Sequence, residues 1–313
     1  MLRIALFVVL IVPPCLGAQE KKRITPGKVV VPTDAMRRIW GELVSVDLKT
    51  RTGVFRNESN DELMPFTVMP YAELLHHAAF GDLQDFKVGE RAIFRLHEDA
   101  AGKWTLLTYI QDEMNFLNGH KEYYHVDRLD PAKGEIEFTQ ANFDKSFVRG
   151  KGLLLEVDEH TRYWKGGVPA KFSDIRVGDR LRTKSHGIGR GKHHRCWDVF
   201  LDDVSLEKFQ KEQQAVHSAR LAKDGWPGFV DAVDGRTVQL TLFQEGRELG
   251  KRLKTGAAVR VAPADSARVP GASVPAKIVE QRPLGNLYQV SVALDANAPP
   301  TLTVTGLARL WLP

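Results

Sequence analysis

The chain of 313 residues has only two cysteines, Cys15 and Cys196. Cys15 lies in a leader-like start, so a processed chain keeps one thiol and no internal disulfide, and its stability has to come from packed cores. Long apolar runs are missing as well: Ile4 to Val12 is about nine residues, against the roughly 20 needed to cross a bilayer. No later segment is apolar enough to do so. Charge is nearly balanced, and a formal net charge of +5 does not by itself imply a polyanion partner. Catalytic signatures are absent too. There is no Gly-x-Ser-x-Gly elbow, and Cys196 has no obvious orienting carboxylate. Gly187-Ile-Gly-Arg-Gly-Lys192 is glycine-rich, but its spacing is wrong for a phosphate loop and His193 stands where Ser or Thr is needed.

The first residues are informative. Met1-Leu-Arg3, the apolar run and Pro13-Pro-Cys-Leu-Gly-Ala18 have the basic, apolar and small-residue regions of a secretory signal, with removal expected near Gly17 or Ala18. A lipid anchor on Cys15 would want small and branched residues where Val12-Pro13-Pro14 stand. Residues 1–18 are therefore read as a signal peptide and 19–35 as a linker, which makes the protein exported, periplasmic or extracellular. Beyond that point, 43% hydrophobic and 27% charged residues are an ordinary globular balance.

An internal repeat organises the rest. Leu83-Gln-Asp-Phe-Lys-Val-Gly-Glu-Arg91 recurs as Phe172-Ser-Asp-Ile-Arg-Val-Gly-Asp-Arg180, at a spacing of 89 residues. In both copies the Asp, Asp85 or Asp174, is placed to cap a turn by accepting backbone N–H groups. The glycine is placed where the turn needs a positive φ. The strand that follows alternates, with Ala92, Phe94 and Leu96 buried and Arg91, Ile93 and Arg95 on a wetter, basic face; Leu181 and Thr183 alternate with Arg180, Arg182 and Lys184 in the second copy. Opening hairpins recur at Ile39–Phe55, Tyr124–Phe138 and Pro227–Leu242. Three openings imply three modules: 36–117, 118–204 and 225–313. Helical signal is sparse. Tyr71 to Ala79 reads as a two-turn helix, and residues 205–224 as a helical connector, capped by Ser205, ended by Gly225, with Leu206, Phe209 and Val216 on one face.

The fold class is mainly β: three consecutive small OB-like β-barrel modules, or sandwiches, with the helical connector before the third. The hairpin followed by the LxDxxVGDR-type turn and strand resembles the OB-like barrel modules of unknown function found in exported bacterial proteins. The resemblance covers the first two modules and, more weakly, the third. It carries no catalytic residues to transfer.

Two candidate sites share one loop. His186, His193, His194 and Cys196 offer three imidazoles and a thiol that suit zinc or copper, although His193 and His194 point to opposite sides of an extended chain and three cations crowd the site. The bland alternative is a solvated hairpin tip beside a buried cysteine. Arg180, Arg182, Lys184, Arg190, Lys192 and Arg195 instead suggest a polyanion-binding edge for nucleic acid or acidic glycan, with Tyr163, Trp164 and Trp197 as stacking surfaces. His76 and His77 lack the Glu-x-x-His company of a zinc hydrolase and read as surface or half-buried histidines. The sequence points to an exported, non-enzymatic binding or scaffold protein of the bacterial cell envelope, with an envelope protein or a polyanion as partner.

Overall fold

The structure is a computed structural model that describes residues 35–186, 194–243, 249–250, 252–284, 287–299 and 301–312. The first module consists of β1 (Met36–Asp47), β2 (Thr52–Asn57), β3 (Leu63–His76), β4 (Ala79–Phe80), β5 (Arg91–Glu98) and β6 (Trp104–Asp112). Its five long strands pair in the order β2-β1-β5-β6-β3, and β2 pairs with β3 to close the ring. All these pairings are antiparallel except β3 with β6. The inward residues of the alternating strands fill the barrel: Leu43, Phe55, Phe94 and Leu107 are fully buried, and Phe55 stacks on Phe94 with ring centroids 4.1 Å apart.

After α1 (Glu113–Gly119) the topology repeats. The second module has β7 (Glu122–Asp130), β8 (Glu135–Asn142), β9 (Val148–Glu156), β10 (Arg162–Lys165), β11 (Val168–Ala170), β12 (Arg180–Ser185) and β13 (His194–Phe200). Its ring runs β13-β12-β7-β8-β9 and closes through a parallel β13–β9 pairing, so the first two modules share one OB-like strand order. Then α2 (Asp203–Asp224) leads to β14 (Trp226–Asp234), β15 (Thr237–Leu242), β16 (Ala258–Ala264), β17 (Val274–Leu284), β18 (Leu287–Leu294) and β19 (Leu307–Trp311). These six form a closed barrel in the order β14-β15-β18-β17-β16-β19, all antiparallel. The third barrel thus closes with one more strand than the other two.

The repeated nine residues build one turn twice. Asp85 accepts from the Asp82 N–H at 2.7 Å and Asp174 from the Lys171 N–H at 2.9 Å. Further on, Glu90 accepts from Lys87 N–H and Asp179 from Arg176 N–H. Gly89 and Gly178 have φ of +88° and +93°. Each turn is then tied to the opening strand of its own barrel, Gly89 N–H to Leu43 O and Gly178 N–H to Val126 O.

Three local expectations are corrected. Residues 71–79 are not helical: β3 continues to His76 and turns into β4 through His77 and Ala78, both with positive φ, because buried Ala72, Leu74 and His76 alternate with half-buried Glu73 and Leu75, the period of a strand. The connecting helix is capped by Asp202, whose carboxylate accepts from Ser205 N–H, and Gly225 ends it. Val216 is exposed, while Gln213 and His217 take the buried face with Leu206 and Leu221, Gln213 bonding Phe80 O, Asp85 and His76. Finally, the basic faces of β5 and β12 are not wet. Arg91, Ile93 and Lys184 are buried where the two barrels meet, and Arg182 is buried on Glu122 O, Asn118 and Asp203, while Arg95 is half-buried and only Arg180 of these residues is exposed.

Candidate functional site

The join between the first two barrels has an apolar part and an ionic part. Ile93 leaves the core of its own barrel and packs with Phe116, Leu117 and Tyr124 in the core of the second, while Trp40 meets Phe116 edge-on at 5.1 Å. Beside this contact lies a buried polar seam. Two residues of the first marker enter it: Arg91 bonds Glu58 through two nitrogens and reaches Glu113 at 3.0 Å. Glu113 is fully buried at the start of α1, where its carboxylate also accepts from Tyr124, Thr183 and Ser185 hydroxyls of the second barrel. Burial and the Glu113 charge push the Tyr124 phenol well above its usual value.

The other marker residue, Glu90, anchors a cation centre. Its Oε2 makes the turn bond to Lys87 N–H, as Asp179 does in the second marker. Its Oε1 faces Lys184 Nζ at 3.0 Å and His76 Nε2 at 3.3 Å. Lys184, carried across the join by β12, also lies 3.0 Å from His76 Nε2 and 2.9 Å from His77 Nε2. One ammonium thus sits where two imidazole nitrogens and a carboxylate converge. The two rings stack with centroids 3.8 Å apart. Gln213 of α2 donates its amide N–H groups to Phe80 O and Asp85, which leaves its oxygen to accept from His76 Nδ1 at 3.0 Å. Asp112 accepts from the His77 and Asn115 backbone N–H groups, and ligand atoms of His76, His77 and Asp112 lie within 4.8 Å of one another.

Burial sets the electrostatics, and the neighbours correct it. It would push the Glu90 carboxyl up, but Lys184 and His76 hold it well below the usual carboxylate range. At His77 burial and the Lys184 charge both act against the proton and depress the imidazole strongly. His76 is raised: burial opposes the proton, and Glu90 with Asp112 outweighs it. Burial raises Asp112. Such a centre can hold one cation tightly, and it links three elements, the β3–β4 hairpin, β12 and α2.

The residues singled out from the sequence fall elsewhere or play other parts. Cys196 is buried in the core of the second barrel, its thiol donating to Asp198 O at 3.0 Å, and burial pushes it well above the usual thiol value. His186 packs edge-on against Trp197 at 4.1 Å, and His193, Arg190 and Lys192 lie outside the described residues. Of the six cations, Lys184 and Arg182 are buried, the latter on Asp203 at 2.9 Å, while Arg195 is exposed near Asp158. Arg180 is exposed and lies over the Phe143 ring at 3.6 Å. Trp164 donates to Asp198, and Tyr163 packs against Phe172.

No protein-family model and no curated protein matches the chain. A solved structure described as "drosophila Unr CSD456" aligns over 78% of this chain and 79% of its own at 13% identity, with a TM-score of 0.20. A likeness of that size carries no argument about ligand, and the barrel assignment rests on the strand pairings above. The seam itself escaped the sequence reading: His76, expected at the surface or half-buried, is buried, and Lys184, expected on a basic edge, meets it from 108 residues away, a convergence that no local spacing announces.

Proposed function

We propose that this is an exported, non-enzymatic binding or scaffold protein of the bacterial cell envelope, built as barrels fixed to one another. The observation that carries the reading is the seam, where Glu90, Glu113, Arg91 and Lys184 are all buried, with Arg91 and Thr183 hydrogen-bonded to Glu113 and Lys184 ion-paired with Glu90 across the join. Buried ion pairs of this kind set geometry more than they add stability, since desolvation offsets most of their attraction. A fixed joint suits a protein that presents surfaces at set positions. The secretory signal read at residues 1–18 supports the location. Two measurements test the proposal. Expressed with its own start in a bacterial host, the protein should appear outside the cytoplasm with a mass matching removal near Gly17 or Ala18; retention in the cytoplasm at full mass would overturn export. Hydrogen exchange should open the first two barrels together, and independent opening would remove the fixed joint.

A second reading, binding of nucleic acid or an acidic glycan, has one supporting feature. Arg180 and Phe143 flank a cleft of about 600 Å³ that also takes in Tyr123, His125 and Lys145. The four carboxylates on its rim all have partners: Asp203 holds Arg182 and Tyr123, Asp202 caps α2, Asp144 bonds Ser146, and Asp179 accepts from Arg176 N–H. Affinity for single-stranded DNA or heparin that falls as salt rises, and is lost on Arg180→Glu, is the expected result; salt-independent affinity would refute it.

A further inference from the structure

The cation centre has the make-up of a metal site with an internal occupant. Both Nε2 atoms point at one position, and that position already holds a positive charge, the Lys184 ammonium at 2.9 and 3.0 Å. The acceptors are therefore set for a cation in advance. Two imidazoles and a carboxylate are a donor set that suits zinc. The ligands are also held from behind, as metal ligands usually are: Gln213 fixes the His76 ring through Nδ1, and the amides of His77 and Asn115 fix Asp112. His77 and Ala78 occupy both central places of the two-residue β3–β4 turn at φ +49° and +61°, where glycine or asparagine would be less costly. That backbone turns the His77 ring back over His76. His77 is half-buried, which gives the centre an edge to solvent. Lys184 has somewhere to go: Glu90 remains a partner, and the face of Trp197 lies 5.8 Å from Nζ.

We propose that His76, His77 and Asp112 form a zinc site, and that Lys184, paired with Glu90, keeps its ammonium on the two Nε2 atoms of that site until the metal displaces it. Because the lysine comes from the second barrel and the ligands from the first, binding zinc exchanges a contact across the join for bonds within one barrel. Metal would then loosen the joint.

The test is a titration of the processed chain with zinc chloride, followed by calorimetry, with cobalt(II) absorption as a second readout of tetrahedral nitrogen and oxygen ligation. The wild type should bind, and His77→Asn, which tolerates the left-handed backbone, should lose binding. Gln213→Leu should weaken affinity by about tenfold or more. Lys184→Met, lacking the competitor, should bind more tightly than wild type. Melting with and without zinc checks folding, the metal raising the midpoint of each variant that binds it. The comparison of wild type with His77→Asn decides the matter even where Lys184→Met does not fold. No binding by wild type overturns the proposal, including the case where Lys184→Met alone binds, which would make the lysine a permanent occupant. Binding unchanged in His77→Asn also overturns it and puts the ion elsewhere, the His186–Cys196 loop being the next place to look.

Discussion

Glu90→Gln and Asp179→Asn make the same chemical change at equivalent places of the two markers, and the seam requires them to differ in cost. Each carboxylate accepts the N–H three residues upstream, at 2.9 Å in one marker and 2.8 Å in the other. A hydrogen bond to a charged group of this kind contributes about 1.5 kcal/mol or a little more, and both variants put that much at risk. Only Glu90 has a second oxygen on a buried cation, Lys184 at 3.0 Å, with side-chain exposures of 0% and 4%. Removing one partner of such a pair strands the other in a desolvated site and costs about 3–5 kcal/mol. Glu90→Gln is therefore expected to lose about 3 kcal/mol more than Asp179→Asn. With a urea slope of about 3 kcal/mol per molar for a chain of this size, the unfolding midpoint should fall about 1 M further. Tryptophan fluorescence and far-ultraviolet circular dichroism across a urea series make the measurement. Adding Lys184→Met to Glu90→Gln leaves no stranded charge, so the double variant should regain about 2–3 kcal/mol relative to the sum of the single losses. Equal midpoints for Glu90→Gln and Asp179→Asn, together with strictly additive losses in the double variant, would refute the buried pair.

Other consequences are simpler to state. Burial pushes the Asp85 carboxyl up, but hydrogen bonds from Arg220, the Asp82 amide and Gln213 outweigh it and hold the group below its usual value. A depressed carboxylate adds stability that is complete above the unfolded value of about 3.9 and is lost as pH falls through the lower folded value; the gap between wild type and Asp85→Asn should therefore narrow as pH falls below about 4, and a gap that stays constant counts against the pairing. Gly225 has φ +77° and ψ 166°, a region open to glycine, and a Cβ there would come within 2.8 Å of the Trp311 ring. Gly225→Ala should cost about 2 kcal/mol or more in thermal or urea unfolding, and a neutral result would mean that α2 does not enter the third barrel at this angle. Cys196 should resist iodoacetamide in the folded protein at neutral pH and label only as the second barrel unfolds; rapid labelling of the native chain would contradict a buried, protonated thiol.

Much of the architecture is legible in the sequence because it rests on local signals. The marker's glycines and acidic residues act on atoms within a few positions of themselves, so Gly89 and Gly178 can be placed at positive φ, and Asp85 and Asp174 at turn caps, without knowing the fold. The count of opening hairpins gives the count of barrels for the same reason. The order in which the third barrel closes is not local. Its strands are joined through β16–β19 and β14–β19 pairings that bring Val261 and Phe229 onto one late strand, and no spacing in the sequence announces them.

The misread faces of β5 and β12 show where binary patterning stops. Alternation separates one side of a strand from the other, but it cannot say whether the second side meets water or another module. Arginine and lysine on that side argue for water only while no carboxylate is available to bury with them. Here Glu90 and Glu113 are available, one from the marker turn and one from a short helix that the sequence reading did not place. Glutamate in the first marker and aspartate in the second differ by one methylene, and the two turns also differ in place, one at the join and one at the outer cleft. Both side chains accept from the turn amide, and Glu90, at the join, also meets Lys184 and His76, while Asp179 lies at the outer cleft beside Arg180. A repeat that keeps a turn in both copies can thus spend the spare oxygen of one copy on the joint between them. The departure from the repeat, rather than the repeat itself, is the residue-level mark of the site.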